Sequence, residues 1–333
     1  MIHSLSSARH MFARIAICCG CVIVTILLCT TIAQAGDVDL SQNTSTVVTN
    51  DEGGQIPASP NDADLGEQQI LDRKVDSFRR GITTQTTESP VTDRPYQPFT
   101  AAASTLLFYT SNAALTPNHE RSDAIEATAA GIYYEPRITK ALFGLVDVRE
   151  QLFFYNHFNK FDFGTLDVEA GLSYFVPELH GLILRGSYDF SRFTFSDRVL
   201  DEFFSNHSIV LLAEVPFRLS RAQQLSVGLD TNISVAADHE SPRRNSYETY
   251  LGYSVLLTKQ FSMDGVGRVV VRDYYHGGRT DVSEILSLCA HYRLTNCWTV
   301  SAVSTFALND SNHDVHDYAV SNLGGAMSFQ LKF

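Results

Sequence analysis

Apolar and polar residues alternate at period two from about residue 101 to the C-terminus, and this constrains the fold more than any other feature of the chain. In 165–176, Leu166, Val168, Ala170, Leu172, Tyr174 and Val176 alternate with Thr165, Asp167, Glu169, Gly171 and Ser173. In 225–235, Leu225, Val227, Leu229, Ile233 and Val235 alternate with Ser226, Gly228, Asp230, Asn232 and Ser234. Successive strand side chains point to opposite faces, so each segment reads as a strand with one oily and one wet face. Twelve such segments occur, centred near residues 106, 130, 148, 169, 187, 211, 229, 251, 268, 287, 302 and 326. Their connections alternate too. Short ones fall near 136–140, 177–181, 218–221, 258–260 and 293–296, and longer polar ones near 113–123, 156–162, 196–207, 237–246, 275–281 and 309–317. Long loop, short turn, long loop is the layout of an antiparallel up-and-down β-barrel crossing a membrane, with the short turns on the periplasmic side.

A soluble sandwich or lipocalin-like barrel would show the same alternation with its apolar face inward. Volume decides against it. Twelve strands with about five large apolar residues each would overfill one core, whereas lipid accepts that whole surface. The wet face carries charge that suits a water-filled or ion-paired interior. Parity places Asp147, Arg149, Asp167, Glu169, Arg185, Asp189, Glu214, Asp230, Glu248, Arg268 and Arg272 toward the lumen. Aromatics cluster at strand ends, with Phe153, Phe154, Tyr155, Phe193, Phe195, Phe203, Phe204, Tyr274 and Tyr275 near long loops. Tyr174, Phe175, Phe217, Phe261, Tyr292 and Trp298 lie near short turns, so the sequence predicts two lipid-facing aromatic belts.

Residues before the barrel have a different character. Arg9, His10 and Arg14 precede an apolar run at 15–32 and the small-residue site Ala33-Gln34-Ala35, the layout of a secretory signal cleaved after Ala35. A retained membrane anchor is the alternative. Residues 36–98 are rich in Asp, Thr, Ser, Gln and Pro and read as a flexible polar segment. Within it, Leu71, Val75 and Phe78 predict a short helix over 68–80, too short to be stable alone. The barrel proper is expected over 99–333.

The last strand is the most specific signal. Met327, Phe329, Leu331 and Phe333 alternate with Ser328, Gln330 and Lys332, and the chain stops on Phe333. This resembles the terminal strand of Gram-negative outer-membrane β-barrel proteins. The resemblance implies an outer-membrane location, with outer-membrane lipid and the barrel-assembly machinery as partners. It also implies that these four residues are the assembly signal. It covers about 101–333 as a pattern and points to no subfamily.

Chemistry is sparse by comparison. Acidic residues outnumber basic ones by 37 to 25, with no basic block, which excludes a nucleic-acid binder. Four of the six cysteines lie in the leader, and Cys289 and Cys297 fall out of register for a disulfide, so free thiols are expected. His207 and Ser208 are adjacent and therefore on opposite strand faces, which bars them from acting as a pair. Ser287, Cys289 and His291 share a face and read as ordinary lumen-lining side chains. No phosphate loop, zinc spacing or calcium loop appears, so neither enzyme activity nor a cofactor is expected. Every long connection carries histidine, several beside carboxylates. His119, His239, His313 and His316 are the candidate metal ligands of a pH-sensitive rim. The expected function is a channel for small solutes or ions. The alternatives are an anchor or translocator barrel with an N-terminal plug or partner-binding segment and, third, an outer-membrane hydrolase.

Overall fold

In a computed structural model of the chain, the described residues are 46–50, 81–86, 97–118, 120–195 and 198–333. The leader at 1–35, most of 36–98 with its expected helix at 68–80, and His119 lie outside the described residues. Within 36–98, strands β1 (Thr46–Asn50) and β2 (Gly81–Thr86) pair antiparallel. Composition alone predicts no regular structure in that segment. The two pieces, TVVTN and GITTQT, are rich in β-branched residues, which favour extended backbone whatever the composition around them.

Twelve strands follow: β3 (Phe99–Thr110), β4 (Asp123–Tyr134), β5 (Leu142–Tyr155), β6 (Phe163–Val176), β7 (Leu182–Phe195) and β8 (Arg198–Arg218), then β9 (Gln223–Ala237), β10 (Arg244–Leu256), β11 (Phe261–Tyr274), β12 (Thr280–Arg293), β13 (Trp298–Ser311) and β14 (Tyr318–Lys332). Each pairs antiparallel with its sequence neighbours, and β14 pairs with β3 to close the barrel. Closure leaves no edge unpaired within the barrel. It is sealed by the last residue. Phe99 N–H donates to Phe333 O at 3.1 Å, Phe333 N–H donates to Phe99 O at 3.0 Å, and the two rings stack at 5.8 Å.

The alternation works as sequence parity requires. Leu107, Leu229, Leu288 and Leu323 are each more than half exposed on the outer face, as part of an apolar band that runs round the barrel. A band of this size is not viable in water and matches the lipid-facing surface of a membrane barrel. On the inner face of β12 alone, Asp281, Ser283, Ser287 and His291 are buried between the exposed Val282, Leu286, Leu288 and Tyr292. The polar face is therefore the inside.

Two expectations change. The connection expected at 196–207 is strand for most of its length, because β8 starts at Arg198 and runs 21 residues. Phe203 and Phe204 fold back onto β7, where Phe193 lies 5.5 Å from Phe204 and Phe195 lies 4.9 Å from Phe203. This burial offsets the cost of extending the hairpin past its neighbours. Irregular registers next to Phe193, Thr194 and His207 absorb the extra residues. The other change concerns the aromatic belt at the long-loop end. Phe153, Tyr155, Phe193, Phe203, Phe204 and Tyr274 are buried, while Tyr275 remains exposed. Phe153 and Tyr155 share the parity of Asp147 and Arg149, so they must face inward with them. At the short-turn end the belt holds, with Tyr174, Phe217 and Tyr292 exposed on the outer face.

Candidate functional site

The inner face is stratified along the barrel. On β5, β6 and β7 the register brings Asp147, Glu169 and Asp189 into one cross-strand row of three carboxylates. One inward position nearer the long loops, Arg149, Asp167 and Ser191 form the next row, and further on come Gln151 and Thr165. Phe153 and Phe163 complete the ladder, stacked at 4.6 Å. Inward neighbours on one strand are two residues apart, roughly 6–7 Å, so the acidic row and the phenylalanine row lie about 20 Å apart along the strands.

Only part of the acidic charge is neutralised by arginine. Arg149 Nη2 lies 3.2 Å from Asp147 Oδ2, and Arg268 Nε lies 3.8 Å from Glu248 Oε1. Neutral hydroxyls hold other carboxylates. Ser187 donates to Glu169 at 2.5 Å, Ser191 and Ser208 donate to Asp189 at 3.0 and 3.3 Å, and the Tyr250 hydroxyl donates to Glu214 at 2.7 Å. Asp230 and Glu248 are direct cross-strand partners. Arg185 lies on the same inner face of β7, two residues before Ser187. Arg272 is fully buried further toward the long loops and donates to Ser283 at 2.6 Å. Glu135, in the short connection after β4, reaches the same interior: burial pushes its carboxyl above the usual range, Arg185 pulls it down and Glu169 pushes it up again.

Exposure divides the interior into two levels. Ala102, Ser104, Ala129, Gly131, Asp167, Glu169, Arg185, Asp189, Asp230 and Glu248 all face inward and all retain partial solvent exposure. At the long-loop end the interior is filled. A cluster of Phe108, Ile125, Phe153, Phe161, Phe163, Phe193 and Phe204 occupies the β3–β8 side. On the β11–β14 side, Leu115 from the connection after β3 packs on Val270, Ile285, Ala307, Tyr318 and Val320. Asn112 anchors that connection, its buried amide donating to Thr116 O at 3.0 Å and Ala319 O at 3.1 Å. Leu115 pays in backbone conformation, with φ at +44°.

Among the described residues the histidine rim does not assemble. His157 sits 2.8 Å from Asp123 and His239 sits 3.1 Å from Asp238, each on its own connection. His313 is bonded to Asn312 at 2.9 Å, and His316 lies in the single-turn helix Asp314–His316. Among the described residues no group of three or more His, Cys, Asp or Glu side chains could hold a metal ion. Separate hairpins hold these residues apart, and sequence proximity to a carboxylate gives a pair and not a ligand set. His207 points outward, where its ring nitrogen meets the Tyr188 hydroxyl, and Ser208 points inward to Asp189. No disulfide joins Cys289 and Cys297. Of the terminal-strand residues, Met327 and Phe333 are exposed, while Phe329 packs against Trp298 at 5.2 Å.

Comparison with known proteins supports the architecture. No family model and no curated protein matches the sequence. Among solved structures, an outer membrane channel from Pseudomonas putida F1 is 11% identical over 73% of this chain and 100% of that one, with a TM-score of 0.54. The NanC porin is 9% identical over 69% and 100% of the two chains, at 0.41. The translocator domain of the autotransporter NalP from Neisseria meningitidis is 10% identical over 71% and 90%, at 0.39. The likeness to the Pseudomonas channel is one of fold. The chain folds as a closed twelve-stranded antiparallel β-barrel, the fold it shares with that outer membrane channel.

Proposed function

We propose that this barrel is a channel passing small solutes or ions between the cell exterior and the periplasm. The observation that carries the reading is the partial solvent exposure of the charged inner face at mid-barrel. Asp167, Glu169, Arg185, Asp189, Asp230 and Glu248 stand around an interior whose β3–β4 wall is only Ala102, Ser104, Ala129 and Gly131. Burying that many charges against packed apolar groups would be prohibitive, so water occupies this level. Carboxylates dominate β5–β10 and arginines contribute from β5, β7 and β11, which sets a transverse field able to orient a permeating solute. The packed long-loop end is then the constriction. In this reading residues 1–35 are the cleaved signal, and Met327, Phe329, Leu331 and Phe333 are the assembly signal. Single-channel recording in planar bilayers tests the proposal. Discrete conductance steps are expected, and a protein that inserts and never conducts refutes it.

One observation favours a second reading. β1, from the segment that precedes the barrel, lies against β12 and β13. A plug or partner-binding role for 36–98 would follow, with the barrel as anchor or translocator. Deletion of 36–98 separates the two: greatly increased conductance supports the plug, and unchanged conductance and folding support a linker.

A further inference from the structure

Three inner-face side chains on β11, β12 and β13 form an arrangement that the channel reading does not use. His291 Nδ1 lies 2.7 Å from Ser301 Oγ, and His291 Nε2 lies 3.0 Å from Asp264 Oδ2. All three residues are buried, at 6%, 7% and 5% exposure for His291, Ser301 and Asp264. His291 and Ser301 are direct cross-strand partners, and Asp264 is the partner of Cys289, one inward position away. Among the described residues neither Asp264 oxygen nor His291 Nε2 has an aligned hydrogen-bond partner, so carboxylate and imidazole meet at ion-pair distance without a formed hydrogen bond and have only each other to face. The partners assign the tautomer: Nε2 carries the proton and faces the carboxylate, and Nδ1 is left as the acceptor for the serine hydroxyl.

We propose that Ser301, His291 and Asp264 form an acyl-transfer site opening on the barrel interior, with small activated carboxylic esters as its substrate class. Ser301 is the nucleophile, His291 the general base, and Asp264 the positioning residue that holds the imidazole in its reactive tautomer. The surroundings suit an acyl group. Ser301 pairs with Ala326, and Cys289, Val303, Leu106 and Ala127 join Ala326 in one apolar cluster immediately toward the long loops. In this proposal the acyl chain of the substrate lies against that apolar side and the ester carbonyl stays level with the hydroxyls.

The steps balance without another reagent. Ser301 Oγ bonds to the carbonyl carbon as its proton passes to His291 Nδ1. The tetrahedral adduct collapses, the alkoxy group leaves, and His291 returns the proton to it, giving an alcohol and acyl-Ser301. Water then attacks the acyl carbon as its proton goes to His291, and collapse releases the carboxylic acid while His291 returns that proton to Ser301 Oγ, restoring the serine. Backbone N–H groups here are committed to the barrel ladder, so no paired-amide oxyanion hole exists. The inward hydroxyls Ser262, partner of His291, and Ser328, diagonal to Ser301, are the nearest donors of that kind. This limits the site to activated esters and to rates well below those of an enzyme with a built oxyanion hole.

The proposal rests on a solvent-filled lumen, and the experiment separates the two claims. Folded full-length protein in detergent is treated with a fluorophosphonate probe, and the modified peptide is located by mass spectrometry. Hydrolysis of p-nitrophenyl butyrate and channel conductance are measured on the same preparation. Labelling at Ser301 is expected, lost in Ser301→Ala, and slowed at least tenfold in both His291→Asn and Asp264→Asn. Asp264→Glu should restore most of the rate, which a merely structural carboxylate would not reproduce. If Ser301 stays unmodified in the folded wild type at concentrations that saturate a known serine hydrolase, the site does not exist. Equal labelling in His291→Asn also overturns it. A conducting barrel without label defeats only this proposal, and a labelled barrel that never conducts defeats only the channel. Should His291→Asn fail to fold, Ser301→Ala and the Asp264 pair still decide the outcome.

Discussion

Replacing Gly228 with alanine tests how the interior is held in place. Glu214, Gly228 and Tyr250 occupy one row on β8, β9 and β10, and the tyrosine reaches across the glycine to donate to Glu214 at 2.7 Å. A Cβ at Gly228 would lie 2.1 Å from Tyr250 Cζ and 2.3 Å from its hydroxyl oxygen. No real contact is that short, so the ring must swing away. The tyrosine then loses a hydrogen bond to a charged acceptor, about 1.5–3 kcal/mol. It also leaves its preferred rotamer, about 0.5–1.5 kcal/mol. A total loss of about 2–4.5 kcal/mol is expected for Gly228→Ala. Urea unfolding of the refolded barrel in micelles, followed by gel mobility of unheated samples, measures it. The cycle with Tyr250→Ala isolates the cause, because without the ring the added methyl should cost less than about 0.5 kcal/mol. A loss under about 0.5 kcal/mol in the wild-type background, or the same loss with and without Tyr250, refutes the reasoning.

Other expected outcomes follow from the constriction, the short connections and the topology. Leu115→Gly gives up about 1.5–3 kcal/mol of side-chain burial but regains about 1–2 kcal/mol from relief of the left-handed backbone, so stability should change by less than about 2 kcal/mol while conductance rises; unchanged conductance would show that this residue does not narrow the mouth. Glu135→Gln should stabilise the barrel at neutral pH. A carboxyl raised by burial contributes its stability below the unfolded-state pKa and loses it as pH rises through the folded value, so the wild type should weaken on going from acid to neutral pH more than the variant does. Equilibrium unfolding at several pH values checks this, and parallel pH dependences would contradict it. Protease added to intact cells should cut within 111–122 or 238–243 and spare 177–181; cleavage at 177–181 would invert the barrel.

Parity makes most of this architecture readable, and parity also shows where the reading stops. A period of two decides which face each residue joins, so counting along the strands is enough to put Asp147, Glu169 and Asp189 inside. The same count applied to Phe153 and Tyr155 puts them inside as well. Grouping them by nearness to a loop assigns them to the lipid belt instead and misses the filled mouth. Their burial follows from phase, not from propensity. The long loops are legible only as composition, since nothing in a sequence fixes how separate hairpins approach, and the histidines accordingly stay apart. What alternation cannot encode is the stagger between strands. Tyr250, Gly228 and Glu214 lie 22 and 14 residues apart along the chain and meet only through register. Ser287, Cys289 and His291 are readable as one face, but Asp264 and Ser301 come to His291 from the two flanking strands. A shift of two residues in either pairing would keep every side chain on its proper face and every apolar group in lipid, yet it would part either the serine or the aspartate from the histidine. The fold therefore tolerates registers that the chemistry does not, which is why the hydrophobic pattern can specify the barrel and leave this arrangement unseen.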